Sequence, residues 1–305
     1  MNNSVGPGET RGPVMSEARP VALVSCAEAL DIDDDMNLVL AAARAAGLDA
    51  SVVSWDDPAV DWSSFDLVVI RSAWDYHRRI DEFLRWARST ADVTRLMNPL
   101  AIIEWNTDKR YLNDLQNAGF AVVPTTFVEP GRDAGDEVRR LLDRGDIVVK
   151  PSISAGSNDT ERHESFDLAM RHIAELHAGA RTVMLQPYMS RVDVDDETGL
   201  VYMNGVYSHA FAKGPMLASA KSMAGGLYAE ERIEPRVADD AQRRLGDAVV
   251  AWVSERFGSP LYVRVDLLPT ADGPVIIELE MTEPSLYVAL ADGTADRFAA
   301  AMRSR

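Results

Sequence analysis

The chain has 305 residues, with 31 Lys and Arg against 48 Asp and Glu, a net charge of −17 with histidine neutral, and an apolar share of 47%. These values suit a globular protein of two or three domains. The acidity argues against a protein that coats nucleic acid or docks on an anionic membrane, but not against a small anion held by a few local cations. Met1 to about Pro20 is Gly-, Pro- and Ser-rich without an apolar centre, so residues 1–20 read as a disordered leader, not a signal peptide, with Met15 an alternative start. No stretch approaches the roughly 20 apolar residues that span a bilayer, and a cytoplasmic protein is expected.

Val21–Ser25 is an apolar run suited to a buried parallel strand, and Cys26 beyond it reads as core. As the single cysteine it supports neither an internal disulfide nor a thiolate zinc site. Asp31–Asp35 reads as an acidic loop, and Leu38–Ala46 as a helix stopped by Gly47. Strands are expected at Ala50–Trp55 and Phe65–Arg71, and a helix at Ile80–Arg88. This βαβ rhythm predicts a doubly wound domain over 21–105. Ligands of such sheets gather at the carboxyl ends of strands, where Arg71–Arg79 (RSAWDYHRR) lies.

Asn98–Pro99 marks a boundary. A helix at Asp108–Ala118, an extended Phe120–Thr125, a strand Ile147–Val149 delivering Lys150, a helix Ser165–Leu176 and a strand Thr182–Gln186 give an α+β unit over 106–186. The unit 187–305 opens with a hairpin around Asn204–Gly205. A polar loop Ser219–Arg232, a helix Ala238–Phe257 and the strands Leu261–Leu268 and Val275–Glu280 follow.

Glu278 and Glu280 are two apart on one strand and share a face, and the hairpin turn brings Asp266 across from them. Three carboxylates on one face repel without a cation, and such oxygen donors suit Mg²⁺ or Mn²⁺. The plainer reading is a solvated strand face, with Arg264 beside Asp266. Lys150 precedes Ser154–Ala155–Gly156–Ser157, a small-residue loop whose backbone N–H groups can approach a phosphate, although it is not a Walker motif. Lys109 starts a helix and Lys213 ends a strand; each lysine alone reads as surface.

The ordered set Lys109, Lys150–Pro151 with its small loop, Gln186–Pro187–Tyr188, Lys213, Arg264–Asp266 and Glu278–Glu280 resembles the ATP-grasp superfamily over about 98–290. RSAWDYHRR, WNTDKRYL (Trp105–Leu112) and ELEMTEPSLY (Glu278–Tyr287) look like one subgroup, which contains the O-ureido-D-serine cyclo-ligase of D-cycloserine biosynthesis. The resemblance implies an α/β (α+β) ATP-grasp fold, with an N-terminal doubly wound pre-ATP-grasp domain, a central α+β domain and a C-terminal antiparallel-sheet domain.

It also implies roles. Lys109, Lys150 and Ser157 would contact nucleotide phosphates, and Gln186, Pro187, Tyr188 and Met189 would run along adenine. Lys213 would reach the transferring phosphate, and Arg264 would steady the acyl phosphate and later oxyanion. Asp266, Glu278 and Glu280 would hold two Mg²⁺, with Mn²⁺ a substitute, although many relatives have Asn at the position of Glu280. Arg191 stands where relatives carry an acidic ribose contact, leaving Asp193 or Glu197 for that role. Lys221–Glu230 looks like a closing loop.

For substrate, Arg71 could bind a carboxylate bidentately and Asp75 an ammonium. Trp74 and Tyr76 could wall the pocket or be interdomain core. Glu283, Ser285 and Tyr287 would face the same cleft. His77 could be a base or a surface histidine. His163, His172, His177 and His209 show no metal-like spacing, though His172 and His177 lie near one helix end.

The function expected is ATP-dependent carboxylate–amine ligation through an acyl phosphate, releasing ADP and phosphate, in natural-product (antibiotic) metabolism. The narrower alternative is ring closure of an O-ureido-serine-type substrate. A small-molecule kinase or a decayed nucleotide-binding protein on the same fold are the others. The expected partners are ATP and an amino-acid-like substrate, with a homodimer suggested by the subgroup.

Overall fold

A computed structural model describes residues 19–217 and 232–305. Nearly all of the expected leader, and the whole expected closing loop Lys221–Glu230, lie outside those residues. The first sheet is parallel, in the order β2-β1-β3-β4, from β1 (Arg19–Ser25), β2 (Leu48–Ser54), β3 (Leu67–Ser72) and β4 (Arg95–Met97). Helices α1 (Met36–Ala45) and α2 (Ile80–Val93) connect its strands. The unbroken apolar runs of β1 and β3 follow from this arrangement, because each central strand is covered on both faces.

Two short helices lead into the second sheet: α4 (Tyr111–Asn117) falls within the expected Asp108–Ala118, and α3 (Leu100–Asn106) before it was not expected. That sheet is antiparallel, in the order β5-β8-β6-β7. Its elements are β5 (Thr126–Val128), α5 (Gly135–Leu142), β6 (Ile147–Pro151), β7 (Glu161–His163), α6 (Phe166–Ala178) and β8 (Val183–Pro187). Both helices pack on it around Val138, Ile147, Val149 and Ile173.

The third sheet follows the single-turn α7 (Val192–Asp195) and has the order β11-β10-β9-β12-β13. Its elements are β9 (Glu197–Met203), β10 (Val206–Lys213), β11 (Ile233–Arg236), α8 (Asp240–Phe257), β12 (Tyr262–Thr270) and β13 (Gly273–Glu280). Asn204 and Gly205 join β9 to β10 with φ of 50° and 77°, the paired positive values of a tight hairpin turn. Asp239 caps α8 reciprocally with Gln242. Among the described residues no helix is long and apolar enough to cross a membrane.

The last helix, α9 (Thr294–Arg303), packs against α1, so Phe298, Ala299 and Met302 share one core with Val21, Leu23 and Val39. The chain end thus returns to the first sheet. Asn98, fully buried, ties that sheet to the third. Its Nδ2 donates to the Tyr262 and Met281 carbonyls at 2.9 and 2.7 Å, and its Oδ1 accepts from Leu261 N at 2.6 Å.

Gly199 on β9 leaves room for the Phe211 ring, which a Cβ there would meet at 2.2 Å. Phe211 in turn lies edge-on to Tyr287, with ring centroids 4.5 Å apart. Gly199→Ala is therefore expected to cost about 1–3 kcal/mol of stability through overpacking, read from the urea unfolding midpoint.

Candidate active site

The β12–β13 register places Asp266 opposite Glu278 and Arg264 opposite Glu280, so the three carboxylates meet on adjacent strands. Arg264 is buried and bridges Asp266 and Glu280. Its Nε donates to Asp266 at 2.9 Å, its Nη2 donates to Asp266 at 2.8 Å and also to Glu280, and its Nη1 donates to the Ser285 carbonyl at 3.1 Å. Glu278 pairs instead with Lys109 at 3.0 Å.

Lys109 sits in the turn between α3 and α4, and its Nζ also donates to the Ser154 carbonyl at 2.7 Å. Burial opposes its charge, but Glu278, Glu280 and Glu283 outweigh that and hold its pKa above the ordinary lysine value. Burial lowers Lys150, with Lys109 and Lys213 adding to the effect and Glu278 and Glu197 opposing it. Burial would raise Glu278, yet Lys109 and Lys150 hold it below the ordinary carboxylate value.

Two cavities adjoin. One is lined by Gln186, Pro187, Tyr188, Met189, Glu197 and Asp266, with apolar walls from Val123, Val148, Val192, Leu268 and Ile277. The other, about 120 Å³, is lined by Trp74, Tyr76, Lys109, Arg264, Glu280, Glu283, Ser285 and Tyr287. Lys150, Ser157, Thr160, Lys213 and Glu278 line both. The first is a largely apolar slot with Lys150, Lys213, Glu197, Asp266 and Glu278 among its lining; the second is walled by charge. Asp193 is engaged by the Tyr188 hydroxyl at 2.5 Å and Arg191 by Asp195 at 2.6 Å, so of the residues considered for ribose only Glu197 lines the slot.

Two expected substrate contacts lie elsewhere. Arg71 is fully buried beneath the cleft, donates to the Pro284 carbonyl at 3.0 Å and lies 3.5 Å from Asp35. Asp75 accepts from Trp55 Nε1 at 2.8 Å and Arg79 at 2.5 Å. Each already has a protein partner, and neither lines either cavity. His77 also stays outside, with Nδ1 2.9 Å from the Trp74 carbonyl and burial pushing its pKa down.

Asp35, read from sequence as part of an acidic loop, accepts the backbone N–H groups of Leu286, Tyr287 and Val288 at 2.7–2.8 Å. Asp35 and Arg71 therefore shape the segment that carries Ser285 and Tyr287. Asn106 was also missed. Its side chain donates to the Leu279 carbonyl and accepts from Met281 N, both at 2.8 Å, gripping β13 on either side of Glu280.

A family model described as the D-cycloserine synthetase DcsG N-terminal domain matches residues 21–98. Over 298 residues the chain is 41% identical to cycloserine biosynthesis protein DcsG of Streptomyces lavendulae, covering 93% of this chain and 98% of that one. The chain belongs to the DcsG family. The crystal structure of D-cycloserine synthetase DcsG matches at a TM-score of 0.85 and 40% identity, covering 94% of this chain and 99% of that one. An ATP-grasp RimK-domain protein from Sphaerobacter thermophilus, 17% identical, matches at 0.65 over 93% of this chain and 98% of that one. D-alanine–D-alanine ligase from Bacillus anthracis, 14% identical, matches at 0.68 over 95% and 97%. These two show the fold alone: the DcsG-family chain has the ATP-grasp fold.

In this DcsG-family cleft the acidic groups outnumber their local cations. Burial, opposed by Arg264 and aided by Asp266 and Glu278, pushes the Glu280 carboxyl from the ordinary 4.5 up to about 8. Burial likewise raises Glu283, with Glu280 adding to it. An oxygen-only donor set short of positive charge fits a hard divalent cation. The folded chain holds the Glu280 proton to about pH 8, whereas the unfolded chain releases it near 4.5. Stability is thus expected to fall as pH rises from about 6.5 to 8, above the range of the buried histidines. Thermal melts in chelator at both ends of that window, with Glu280→Gln flattening the difference, check this.

Linear spacing gives His163, His172, His177 and His209 no metal-like pattern, but the fold brings two of them together. Folding brings His172 of α6 against Glu161 and His163 of β7, a juxtaposition that linear spacing does not show.

Proposed function

We propose that the protein is an ATP-dependent carboxylate–amine ligase. The observation that carries this is the seam between the two cavities. Lys150, Lys213 and Glu278 stand where a largely apolar slot, suited to a nucleobase, adjoins a charged pocket, suited to a small amino-acid derivative. Lys109, Lys150 and Ser157 line the phosphate path, the stretch Gln186–Met189 lies along the slot, and Glu197 is the ribose contact. Lys213 faces the transferring phosphoryl group, and Arg264 the acyl phosphate. Tyr76, Glu283, Ser285 and Tyr287 hold the substrate.

A carboxylate is a poor acyl donor because its oxide leaving group is bad. In the proposed reaction a carboxylate oxygen bonds to the γ-phosphorus and ADP departs. An amine nitrogen then attacks the carbonyl carbon and phosphate leaves with that oxygen, while the amine gives up a proton. Lysines aimed at the non-bridging oxygens stabilise the charge spread over them. Asp266, Glu278 and Glu280 would hold two Mg²⁺, or Mn²⁺, which when bound neutralise phosphate charge. A cytoplasmic homodimer belongs to the same proposal on family resemblance, and light scattering reads the oligomer.

Ring closure of an O-ureido-D-serine-type substrate is the reading favoured within this class, because the 41%-identical relative is a cycloserine biosynthesis protein. ADP release across amino acids and O-ureido-serines, singly and in pairs, tests it. Release with the single ureido substrate is expected; release only with paired substrates overturns ring closure. Hydroxylamine trapping separates ligase from kinase, since an acyl phosphate gives a hydroxamate and a phosphoester does not.

A further inference from the structure

The central sheet carries a second cluster of ligating side chains, none of which lines the cleft cavities. Glu161 and His163, two apart on β7, share one strand face, and His172 reaches them from α6. Both histidine side chains are about 5% exposed and Glu161 is 34% exposed, so the cluster is buried on the protein side and open to water at the carboxylate. His163 Nε2 lies 3.1 Å from His172 Nδ1, and Glu161 Oε2 lies 3.6 and 3.9 Å from those two nitrogens.

A circle through three points at these separations has a radius of about 2.1 Å, which is the length of a zinc–imidazole or zinc–carboxylate bond. A hydrogen-bonded pair of neutral imidazoles accounts for the 3.1 Å contact alone. It does not account for Glu161 Oε2 converging on both nitrogens, because at 3.6 and 3.9 Å that oxygen lies beyond hydrogen-bond distance of either. A cation at the centre satisfies all three.

We propose that Glu161, His163 and His172 bind a first-row transition-metal ion, zinc above all, at a site separate from the oxygen-only carboxylates of the cleft. Two imidazoles and a carboxylate are the mixed donors zinc takes, with a fourth position left for water on the exposed side of Glu161. Glu161 directly follows Thr160, the end of the β6–β7 connector that carries Ser154 and Ser157 into the cleft. The ion would pin that end of the connector to α6.

The test titrates chelator-stripped full-length protein with Co²⁺ under saturating Mg²⁺ and ADP, so that the cleft is already supplied. The expected result is one Co²⁺ per chain with the visible absorption of a four-coordinate ion, displaced by Zn²⁺, which raises the melting temperature. Glu161→Gln and His163→Gln are each expected to weaken binding by at least about tenfold, as metal-site substitutions do, and Glu278→Gln to leave it unchanged. Glu161→Gln removes only a partly exposed charge; its circular dichroism and melting in chelator should match the parent, which keeps the test decisive if the histidine variant misfolds. Absence of saturable Co²⁺ or Zn²⁺ binding, or binding unchanged by Glu161→Gln, overturns the proposal.

Discussion

Lys150→Ala is expected to lower ADP release by about 10²–10³-fold, the loss seen when one donor to a developing oxyanion is removed. Lys150 is the penultimate residue of the buried strand β6, is 7% exposed, and stands at the seam shared by the slot and the charged pocket. Its ammonium is desolvated and carries its charge against Glu278 and Glu197. A water molecule entering in its place would be mobile and uncharged, and so a poor substitute for a fixed cation. The loss should fall mainly on kcat, because the interaction strengthens as charge builds on the transferring group. A coupled ADP assay reads the effect, with a thermal melt as the check on folding. A folded variant within about fivefold of the parent would remove Lys150 from the phosphoryl path.

Asp35→Ala has the largest expected effect on stability. It strips the acceptor from three consecutive backbone N–H groups, those of Leu286, Tyr287 and Val288, and leaves the Arg71 guanidinium buried without its carboxylate. Removing one partner of a buried charged network costs about 3–5 kcal/mol, here a fall in Tm of roughly 10 °C. Activity should fall as well, because the freed segment carries Ser285 and Tyr287 into the pocket. Asp35→Asn keeps one acceptor oxygen and should lose less. A melting temperature within about 2 °C of the parent for Asp35→Ala would show that other contacts hold the segment.

These two residues also show how far sequence reasoning reaches. Lys150 was legible because an apolar strand ends on it and a small-residue loop follows. Glu278 and Glu280 were legible as a same-face pair because a strand has period two, but Asp266 comes opposite Glu278 only through a one-residue register shift between Asp266 and Leu267, which alternation does not foretell. Asp35 and Arg71 were not, because their roles depend on Leu286 and Pro284, more than 200 residues away in the chain. A charge beside an apolar run reads as a ligand contact or a solvated loop until the partner is known. The parallel first sheet was readable from its buried runs. The return of α9 to α1 was not, since an Ala-rich helix does not declare which face of the molecule it covers. The apolar walls of the slot, Val148, Leu268 and Ile277, look like any strand interior, and only the cavity beside them distinguishes them.

The central claim is that this cleft activates a carboxylate by joining one of its oxygens to phosphorus. The direct measurement is isotope transfer with the carboxylate substrate that supports ADP release, labelled with ¹⁸O at both carboxylate oxygens. Phosphate carrying one ¹⁸O per ADP formed is the predicted result. Unlabelled phosphate at full turnover would contradict the acyl-phosphate route.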